Sequence, residues 1–238
     1  MMLVVKEIHV YYGDSYVLQG VSLEVGKSEI VALLGRNGSG KTTTLRSIIG
    51  LTKLKSGSIR FKDLEITDLP AFKIARMGIG YIPQGSRIFP ELTVFENLKI
   101  GFRGKLKKDV LEDIFELFPI LKEKLNQIAG TLSGGERQML AIARALATEP
   151  DLVLMDEPTI GLMPSLVYKL KEVIIELKKR GISVLLVEQK IPLALQISDR
   201  SYILVNGRIK YCGNSADLQK NNDILLGYLG VKNQIVSI

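Results

Sequence analysis

The sequence predicts an α/β fold with a mostly parallel sheet, an antiparallel β segment at the N-terminus and an inserted helical block. Strands and helices alternate in the outer parts of the chain, and this order packs helices against a parallel sheet. The apolar runs Glu29–Leu34, Leu152–Asp156 and Ile182–Val187 are typical of strands buried on both faces. Between 85 and 131 the pattern changes to amphipathic helices.

The part of the chain before the helical block reads mainly as strands. Predicted strands cover Leu3–Tyr12, Tyr16–Val25, Glu29–Leu34, Ser58–Phe61 and 79–82, and a short helix covers Thr43–Ile49. A Gly13-Asp14 turn joins the first two strands, and Gly50 is a residue that can end the helix. We therefore expect a small antiparallel β subdomain beside the parallel sheet.

Two amphipathic helices define the inserted block. One covers Thr93–Ile100 and the other Lys107–Phe118, where Val110 and Ile114 share an apolar face. Pro119 is expected to end the second helix because proline lacks a backbone N–H. The predicted organisation is a single domain over 1–238, with an α/β core of 1–84 and 132–238 and a helical subdomain of 85–131.

The remainder of the chain alternates helices with strands. Helices are predicted over Ser133–Ala147 and Pro164–Arg180, strands over Leu152–Asp156 and Ile182–Val187, and a hairpin over Tyr202–Val205 and Arg208–Cys212. The Asn206-Gly207 pair between the hairpin strands is the strongest short hairpin signal. Two short helices are expected to close the chain. In such sheets ligands bind at the carboxyl ends of the strands.

Composition indicates an ordinary globular protein, with 46% hydrophobic and 24% charged residues in a chain of 238. No run approaches the roughly 18 apolar residues of a membrane span, and the N-terminus lacks the features of a secretion signal. The single cysteine, Cys212, excludes an internal disulfide and fits a reducing cytosol. Cys212 and the single histidine, His9, are expected to be ordinary strand residues.

The net charge of +7 permits nucleic acid or an anionic membrane face as a neighbour. The basic residues are dispersed, with small clusters only at 105–108 and 178–180. The second cluster lies at the end of a predicted helix, where cations complement the helix dipole. Charge by itself therefore selects no partner.

A complete phosphate-loop motif follows the third predicted strand. The motif G-x-x-x-x-G-K-[ST] comprises Gly35, Arg36, Asn37, Gly38, Ser39, Gly40, Lys41 and Thr42, and Thr43 follows in the helix. Its glycines let backbone N–H groups close around phosphate oxygens, and the helix N-terminus adds its dipole. Lys41 would reach the β- and γ-phosphates, and the Thr42 hydroxyl would ligate Mg²⁺. A glycine-rich turn without a ligand is the alternative, but the flanking strand and helix favour nucleoside triphosphate binding.

Two acids stand at the end of the predicted strand Leu152–Asp156. A carboxylate at a strand end beside a phosphate loop holds Mg²⁺, and Asp156 is placed for that role. Glu157 would face the γ-phosphate, where it could orient and deprotonate a water molecule. The alternative is a solvated Asp-Glu-Pro turn, which the phosphate loop upstream disfavours.

A second glycine pair starts the helix after the helical block. Ser133 and Glu136 form a capping box, which is a purely structural helix start. It leaves Gly134 and Gly135 unexplained, since each costs about 0.5–1 kcal/mol relative to alanine within a helix. Glycines there suggest close backbone approach to an anion. Because the chain already has one phosphate loop, that anion would be a nucleotide held by another subunit.

These motifs together resemble those of the ABC-type ATPases, and the likeness runs from about residue 3 to 230. It rests on the phosphate loop, Gln84, the segment Leu132–Gln138 (LSGGERQ) and the strand ending Asp156-Glu157-Pro158. The resemblance implies that two domains pair head to tail, each ATP lying between one phosphate loop and the other chain's Ser133-Gly134-Gly135. It also implies that Tyr12 stacks on adenine, although Tyr12 could be an ordinary strand aromatic. Gln84 would contact Mg²⁺ and the attacking water.

A closer resemblance is to the ATPase subunits of branched-chain amino-acid importers. It is carried by Gln84–Leu98, Thr131–Leu146, Glu157–Pro164 and Leu186–Gln189. The chain is most similar to the subunit type with glutamine, here Gln189, where most ABC ATPases have a switch histidine. It departs from the family pattern at Met163, where an aspartate is expected, and slightly at Thr159 and Lys190.

The resemblance implies ATP and Mg²⁺ as cofactors and a role for each matching residue. The catalytic residues would be Lys41, Glu157 and Gln189, and the metal-binding residues would be Thr42, Gln84 and Asp156. The nucleotide-binding residues would be Tyr12, Gly35, Arg36, Asn37, Gly38, Ser39, Gly40, Lys41, Thr42, Thr43, Gln84, Ser133, Gly134 and Gly135.

The expected function is ATP hydrolysis in an ABC membrane transporter that imports branched-chain amino acids, with ATP-driven dimer closure powering the permease. Its expected partners are integral membrane permease subunits, a second and non-identical ATPase subunit and, indirectly, a substrate-binding protein, with no nucleic acid. We expect it in the cytoplasm, peripheral on the inner face of the cell membrane.

Three alternative functions remain open at this point. One is the ATPase of another ABC transporter, and another is a soluble ABC ATPase of DNA repair or translation. The compact block 51–131 and the single cassette differ from those soluble relatives. A regulatory nucleotide-binding module conflicts with the intact Glu157.

Overall fold

The chain folds around two β-sheets, and the structure, a computed structural model, describes residues 1–102 and 104–231. The strands are β1 (Leu3–Tyr12), β2 (Ser15–Val25), β3 (Ile30–Leu34), β4 (Ser56–Phe61), β5 (Leu64–Glu65), β6 (Ile79–Ile82), β7 (Leu152–Asp156), β8 (Ser183–Val187), β9 (Arg200–Val205) and β10 (Arg208–Asn214). Arg103 and residues 232–238, which the predicted domain includes, lie outside the described residues.

Helices cover both faces of the larger sheet and form the inserted block. They are α1 (Lys41–Ile48), α2 (Ala71–Arg76), α3 (Val94–Gly101), α4 (Lys108–Leu117), α5 (Pro119–Glu123), α6 (Gly134–Leu146), α7 (Pro164–Lys179), α8 (Ile191–Ile197), α9 (Ser215–Lys220) and α10 (Asn222–Ile224). A 3₁₀ turn at Ala129–Thr131 precedes α6, and a π-helical turn at Leu225–Leu229 follows α10. None of the helices among the described residues is both long and apolar enough to cross a bilayer.

The larger sheet has the order β10-β9-β3-β8-β7-β6 in the described part of the chain. All neighbouring pairs are parallel except the β9–β10 hairpin, which is antiparallel around the predicted turn. Every residue of β3, β7 and β8 is buried, because helices pack on one face of these central strands and the smaller sheet with α1 packs on the other. The predicted mostly parallel α/β core is confirmed.

The smaller sheet has the order β2-β1-β4-β5 and is antiparallel throughout, which confirms the predicted N-terminal β subdomain. Its inner face shares one apolar core with β3 and α1, in which Val5 and Leu18 pack with Leu33 and Leu45. This shared core fixes Tyr12, at the end of β1, relative to the loop between β3 and α1.

The helical block packs on α6 through α3, and its first helix is anchored by a buried amide. Thr93 caps α3 with a capping box. Asn97 in α3 is fully buried; its Oδ1 accepts from the Phe89 N–H, and its Nδ2 donates to the Phe89 and Thr93 carbonyls. These bonds hold the loop after β6 against the block.

The structure departs from the expected elements at Pro119, in the two-residue strand β5 and in two short helices. Pro119 does not simply end α4: α4 ends at Leu117, and Pro119 is the first residue of α5, a position where the missing N–H costs nothing. Two further helices, α2 and α8, were not predicted. With six and seven residues they are too short to show a helical apolar period.

Candidate functional site

Four parallel strands end at one edge of the larger sheet, and most of the predicted site residues lie there. Residues 35–40 form the loop after β3, and Lys41 and Thr42 begin α1. Gln84 lies two residues after β6, Asp156 ends β7, and Gln189 lies two residues after β8. They surround a cleft of about 520 Å³ lined by Tyr12, Val17, Asn37, Gly38, Gly40, Lys41, Thr42, Thr43, Gln84, Glu157 and Gln189. Val17, beside Tyr12 in this cleft, was not predicted as a site residue.

The phosphate loop leads directly into the N-terminus of α1. Gly40 is the N-cap at φ +108°, and a β-carbon there would lie 2.7 Å from Leu18 Cδ2, so both backbone and packing require glycine. The Lys41 ammonium donates to the Gly35 and Arg36 carbonyls at 2.8 and 3.1 Å. Burial lowers the pKa of Lys41, an effect that the negative charges of Glu157 and Asp156 oppose.

The loop contains a buried hydroxyl that fits an anion site. Among the described residues, Ser39 Oγ is buried and has no hydrogen-bond partner. A buried hydroxyl without a partner is costly unless a ligand or water completes it. Together with the free N–H groups at the start of α1, this donor set fits the phosphates of a nucleotide. Arg36 lies at the other side of the loop, against Gly230 of the C-terminal segment.

Two of the predicted metal ligands are brought together. The Thr42 hydroxyl donates to Asp156 Oδ1 at 3.1 Å, and these are oxygen donors of the kind Mg²⁺ prefers. Burial raises the pKa of the Asp156 carboxyl, and the Thr42 hydrogen bond opposes this rise. Gln84, the third predicted ligand, directs its amide nitrogen to Glu157 instead.

Tyr81 is a neighbour of Asp156 that sequence reasoning missed. Its hydroxyl lies 3.5 Å from Asp156 Oδ2. Burial, followed by the charge of Asp156, raises the pKa of Tyr81 to about 12. No sequence signal indicates this contact, because it depends on the pairing of β6 with β7, in which Tyr81 is aligned with Leu154.

Glu157 is held in an unusual backbone conformation. Its φ is +50°, a region that non-glycine residues occupy rarely, and its N–H donates to the Val187 carbonyl at 2.9 Å. Its Oε2 accepts from Gln84 Nε2 at 3.0 Å and from Gln189 Nε2 at 2.7 Å. The two amides therefore fix the direction of the carboxylate.

Tyr12 stands at the rim of the cleft with 46% of its surface exposed. Its hydroxyl lies 3.0 Å from Thr52 Oγ1, so the ring is tethered at its far end. The exposed ring is available for stacking on a planar ligand.

Ser133, Gly134 and Gly135 begin α6 and do not line the cleft of their own chain. The predicted capping box is present, with the Glu136 N–H donating to Ser133 Oγ and the Ser133 N–H to Glu136 Oε2. A β-carbon on Gly135 would lie 2.0 Å from Leu166 Cδ1, so a larger residue there would require the Leu166 side chain on α7 to move. Gly134 faces open space, and nothing in the described chain requires a glycine there.

With this geometry in view, comparison with known proteins decides the family. The family model described as ABC transporter matches residues 18–160. The chain belongs to the ABC transporter family. ATP binding and hydrolysis are the activity of this family's cassette, and the predicted fold class and family resemblance are confirmed.

Curated relatives of this ABC transporter cassette match over nearly their whole length. A high-affinity branched-chain amino acid transport ATP-binding protein, BraG of Pseudomonas aeruginosa, is 45% identical, with 96% of this chain and 100% of BraG covered. A probable branched-chain amino acid transport ATP-binding protein, LivF of Archaeoglobus fulgidus, is 40% identical, covering 91% and 94%. The lipopolysaccharide export system ATP-binding protein LptB of Haemophilus influenzae is 37% identical, covering 92% and 93%.

Solved structures of ABC cassettes share the fold along the chain. An ATP-binding cassette in an ADP conformation has a TM-score of 0.83 at 29% identity, covering 97% of this chain and 99% of that chain. A dimeric cassette in a post-hydrolysis state, bound to ADP and Pi, has a TM-score of 0.80 at 27% identity, covering 90% and 99%.

Replacing Lys41 by alanine should weaken ATP binding at least about tenfold, because charge-assisted hydrogen bonds to phosphate are lost. The cassette should stay folded, since the change also removes a buried charge. Calorimetric titration with ATP measures the affinity, and Lys53→Ala, at an exposed lysine outside the cleft, is the control. Wild-type affinity in Lys41→Ala would contradict this assignment.

Proposed function

We propose that this chain is the ATP-hydrolysing subunit of an importer for branched-chain amino acids. The choice of cargo is supported by the names of BraG and LivF, its relatives at 45% and 40% identity. The 37% identity to LptB supports a second candidate function, the ATPase subunit of a transporter for another cargo. The observation that carries hydrolysis itself is the Glu157 carboxylate, fixed by two amides beside the phosphate loop.

Each group of the cleft has a distinct task in this proposal. Lys41 turns from the loop carbonyls to the β- and γ-phosphates, and Tyr12 stacks on the adenine opposite Val17. Thr42 and Asp156 would hold Mg²⁺, with Gln84 reaching it after leaving Glu157. Bound there, Mg²⁺ would neutralise charge on the β- and γ-phosphate oxygens.

Glu157 is the proposed general base. A water molecule beside the γ-phosphate gives its proton to the Glu157 carboxylate while its oxygen bonds to the γ-phosphorus. The bond between that phosphorus and the β–γ bridging oxygen breaks, which releases ADP and phosphate. Gln189 can donate one hydrogen bond to the γ-phosphate, but its amide cannot carry a proton as histidine does.

A second chain completes the site in this proposal. Ser133 and Gly134 are exposed at the N-terminus of α6 and lie outside the cleft of their own chain. A helix N-terminus with an open glycine suits a phosphate brought by a partner. In a head-to-tail pair, each phosphate loop would receive the partner's Ser133-Gly134-Gly135 (the signature segment), and a dimeric cassette among the similar solved structures supports such pairing.

The membrane partner is proposed to dock beside the helical block. A groove of about 420 Å³ lies between α2, β6, α3 and α6, with Leu51, Phe72 and Ile100 exposed along it. Such an apolar groove suits a permease segment. In this proposal the chain lies on the cytoplasmic face of the membrane, and the block 85–131 is the permease-facing subdomain. A substrate-binding protein would act through the permease.

Asymmetric pairing with a different ATPase is part of the proposal. Gln189 occupies the switch position, and Met163, exposed in the loop after Glu157, replaces an expected carboxylate at the interface. If the partner has a histidine at the switch position, the dimer would contain two unlike sites. One would combine the partner's histidine with this chain's Ser133-Gly134, and the other would contain Gln189 of this chain. The alternative is a fully active homodimer in which Gln189 is sufficient as the residue that contacts the γ-phosphate.

Glu157→Gln keeps the shape and hydrogen bonding of the side chain but removes a base. Turnover should fall at least about a hundredfold while ATP affinity stays near wild type. A phosphate-release assay and an ATP titration on the purified variant separate these effects. Turnover near wild type would remove Glu157 from the role of base.

Gly134→Ala tests the second chain's contribution. Alanine in the first turn of α6 should leave the cassette folded and raise its stability by up to about 1 kcal/mol. Turnover should nevertheless fall at least tenfold, roughly the effect of one misplaced phosphate contact. The matched control is Gly227→Ala, at another helical glycine with open space, which should leave turnover unchanged. Full activity of Gly134→Ala would argue against a partner nucleotide at α6.

Asymmetric pairing predicts weak activity of the chain alone and a clear gain on mixing with an ABC ATPase encoded beside it. Turnover should be measured for the chain alone, for Gln189→His and for the mixture. A partial gain in Gln189→His would locate the deficit at the switch position, because histidine adds the proton-carrying group. If the lone chain turns over ATP as fast as the mixture, the asymmetric arrangement is wrong.

A further inference from the structure

Glu188 is a buried acid directly after β8 that none of the roles above uses. It is only 2% exposed. Its Oε1 accepts from the Thr159 N–H at 3.1 Å and from the Thr159 hydroxyl at 2.5 Å. Its Oε2 accepts from the N–H groups of Gln189 at 2.9 Å and Lys190 at 3.1 Å. Both oxygens are thus occupied by donors from two different loops.

These bonds close a ring around the proposed base. Thr159 follows Glu157 by two residues, and Gln189 follows Glu188 directly. The Gln189 amide donates to Glu157 Oε2 at 2.7 Å, which completes the circuit from Glu157 through Thr159, Glu188 and Gln189 back to Glu157. The loop after β7 and the loop after β8 are therefore connected by a closed circuit of hydrogen bonds.

The ring accounts for the strained position of Glu157. A non-glycine residue at φ +50° persists only where its surroundings fix it on both sides. The Val187 carbonyl holds the Glu157 N–H on one side, and the buried Thr159 holds the following loop on the other. Without the bonds to Thr159, the backbone after Glu157 could relax and carry the carboxylate with it.

The ring also requires a carboxylate at position 188. Every group that faces Glu188 in these bonds is a donor, so both of its oxygens must accept. A glutamine has one accepting oxygen, and its NH₂ group would oppose the N–H donors of one loop. A side chain that only filled the space at position 188 would not need two hydrogen-bond acceptors.

We propose that Glu188 and Thr159 are positioning residues for ATP hydrolysis: they lock the Gln189 amide and the Glu157 carboxylate in their relative orientation. They act through Glu157 and Gln189 and do not touch the nucleotide. This inference rests on the proposed role of Glu157 as base.

The test compares substitutions that weaken the ring with one that leaves its bonds in place. Thr159→Val removes the hydroxyl bond to Glu188 at constant volume and leaves the backbone N–H bond, Glu188→Gln removes one acceptor, and Thr159→Ser keeps the hydroxyl. Ser201→Ala is the matched control, since Ser201 is fully buried and its hydroxyl forms a hydrogen bond with the hydroxyl of Ser215 at the start of α9. For each full-length chain, kcat, the KM for ATP and the unfolding midpoint are measured.

Weakening the ring should lower kcat about tenfold to a hundredfold, the size of effect that a misplaced catalytic group produces. The KM for ATP should stay near wild type, because no nucleotide contact changes. Thr159→Ser should keep wild-type kcat, and Ser201→Ala should lower the unfolding midpoint without changing kcat. In a Gln189→Ala background, Thr159→Val should have little further effect, since both act on one orientation.

Wild-type kcat in folded Thr159→Val and Glu188→Gln would overturn the positioning role. The positioning role would also be overturned if Ser201→Ala lowered kcat as much as the ring variants at the same loss of stability. It would be overturned as well if the effects of Thr159→Val and Gln189→Ala on kcat were additive. Glu157→Gln is assayed in parallel. If that variant retains turnover, the proposed base is wrong; if it is inactive while the ring variants are normal, only the positioning inference fails.

Discussion

The hydrogen bond from the Glu157 N–H to the Val187 carbonyl, 2.9 Å long, is the contact on which the rest of the site depends. It extends the parallel pairing of β7 and β8 one residue past Asp156, which is aligned with Val187. Asp156 thereby stays under the phosphate loop, where it meets Thr42, and Glu157 turns towards Gln84 and Gln189. Asp156 and Glu157, although adjacent in sequence, therefore have different neighbours on either side of this backbone hydrogen bond.

The site is divided between rigid and open parts. Buried strands and the core shared with the small sheet fix the phosphate loop, Asp156 and Tyr12. The signature glycines belong to α6, which packs on the helical block through α3 and on α7 at Gly135. A displacement of the helical block would therefore carry Gly134 with it, which would provide a physical route from the proposed permease groove to the proposed partner nucleotide.

Sequence reasoning identified those features whose cause is local. The phosphate loop, the hairpin at Asn206-Gly207 and the capping box at Ser133 follow from short patterns, and the structure contains each. Glu188 could not be found in this way, because Thr159, its partner, lies 29 residues away and only the pairing of β7 with β8 brings them together. The same limit explains why Gly134 and Gly135 looked equivalent: only the position of Leu166 on α7 distinguishes them.

The central claim is that each catalytic site needs the phosphate loop of one chain and the α6 N-terminus of another. The most direct test mixes two variants, Lys41→Ala and Gly134→Asp, and measures ATP turnover. Aspartate at the start of α6 suits the helix dipole but repels phosphate, so the fold should survive while the signature function is lost. The account predicts that neither variant is active alone and that mixing restores part of the weak turnover shown by the wild-type chain alone, because one intact composite site forms in each mixed dimer. A mixture as inactive as its components, from variants shown to be folded and to form mixed dimers, would contradict it.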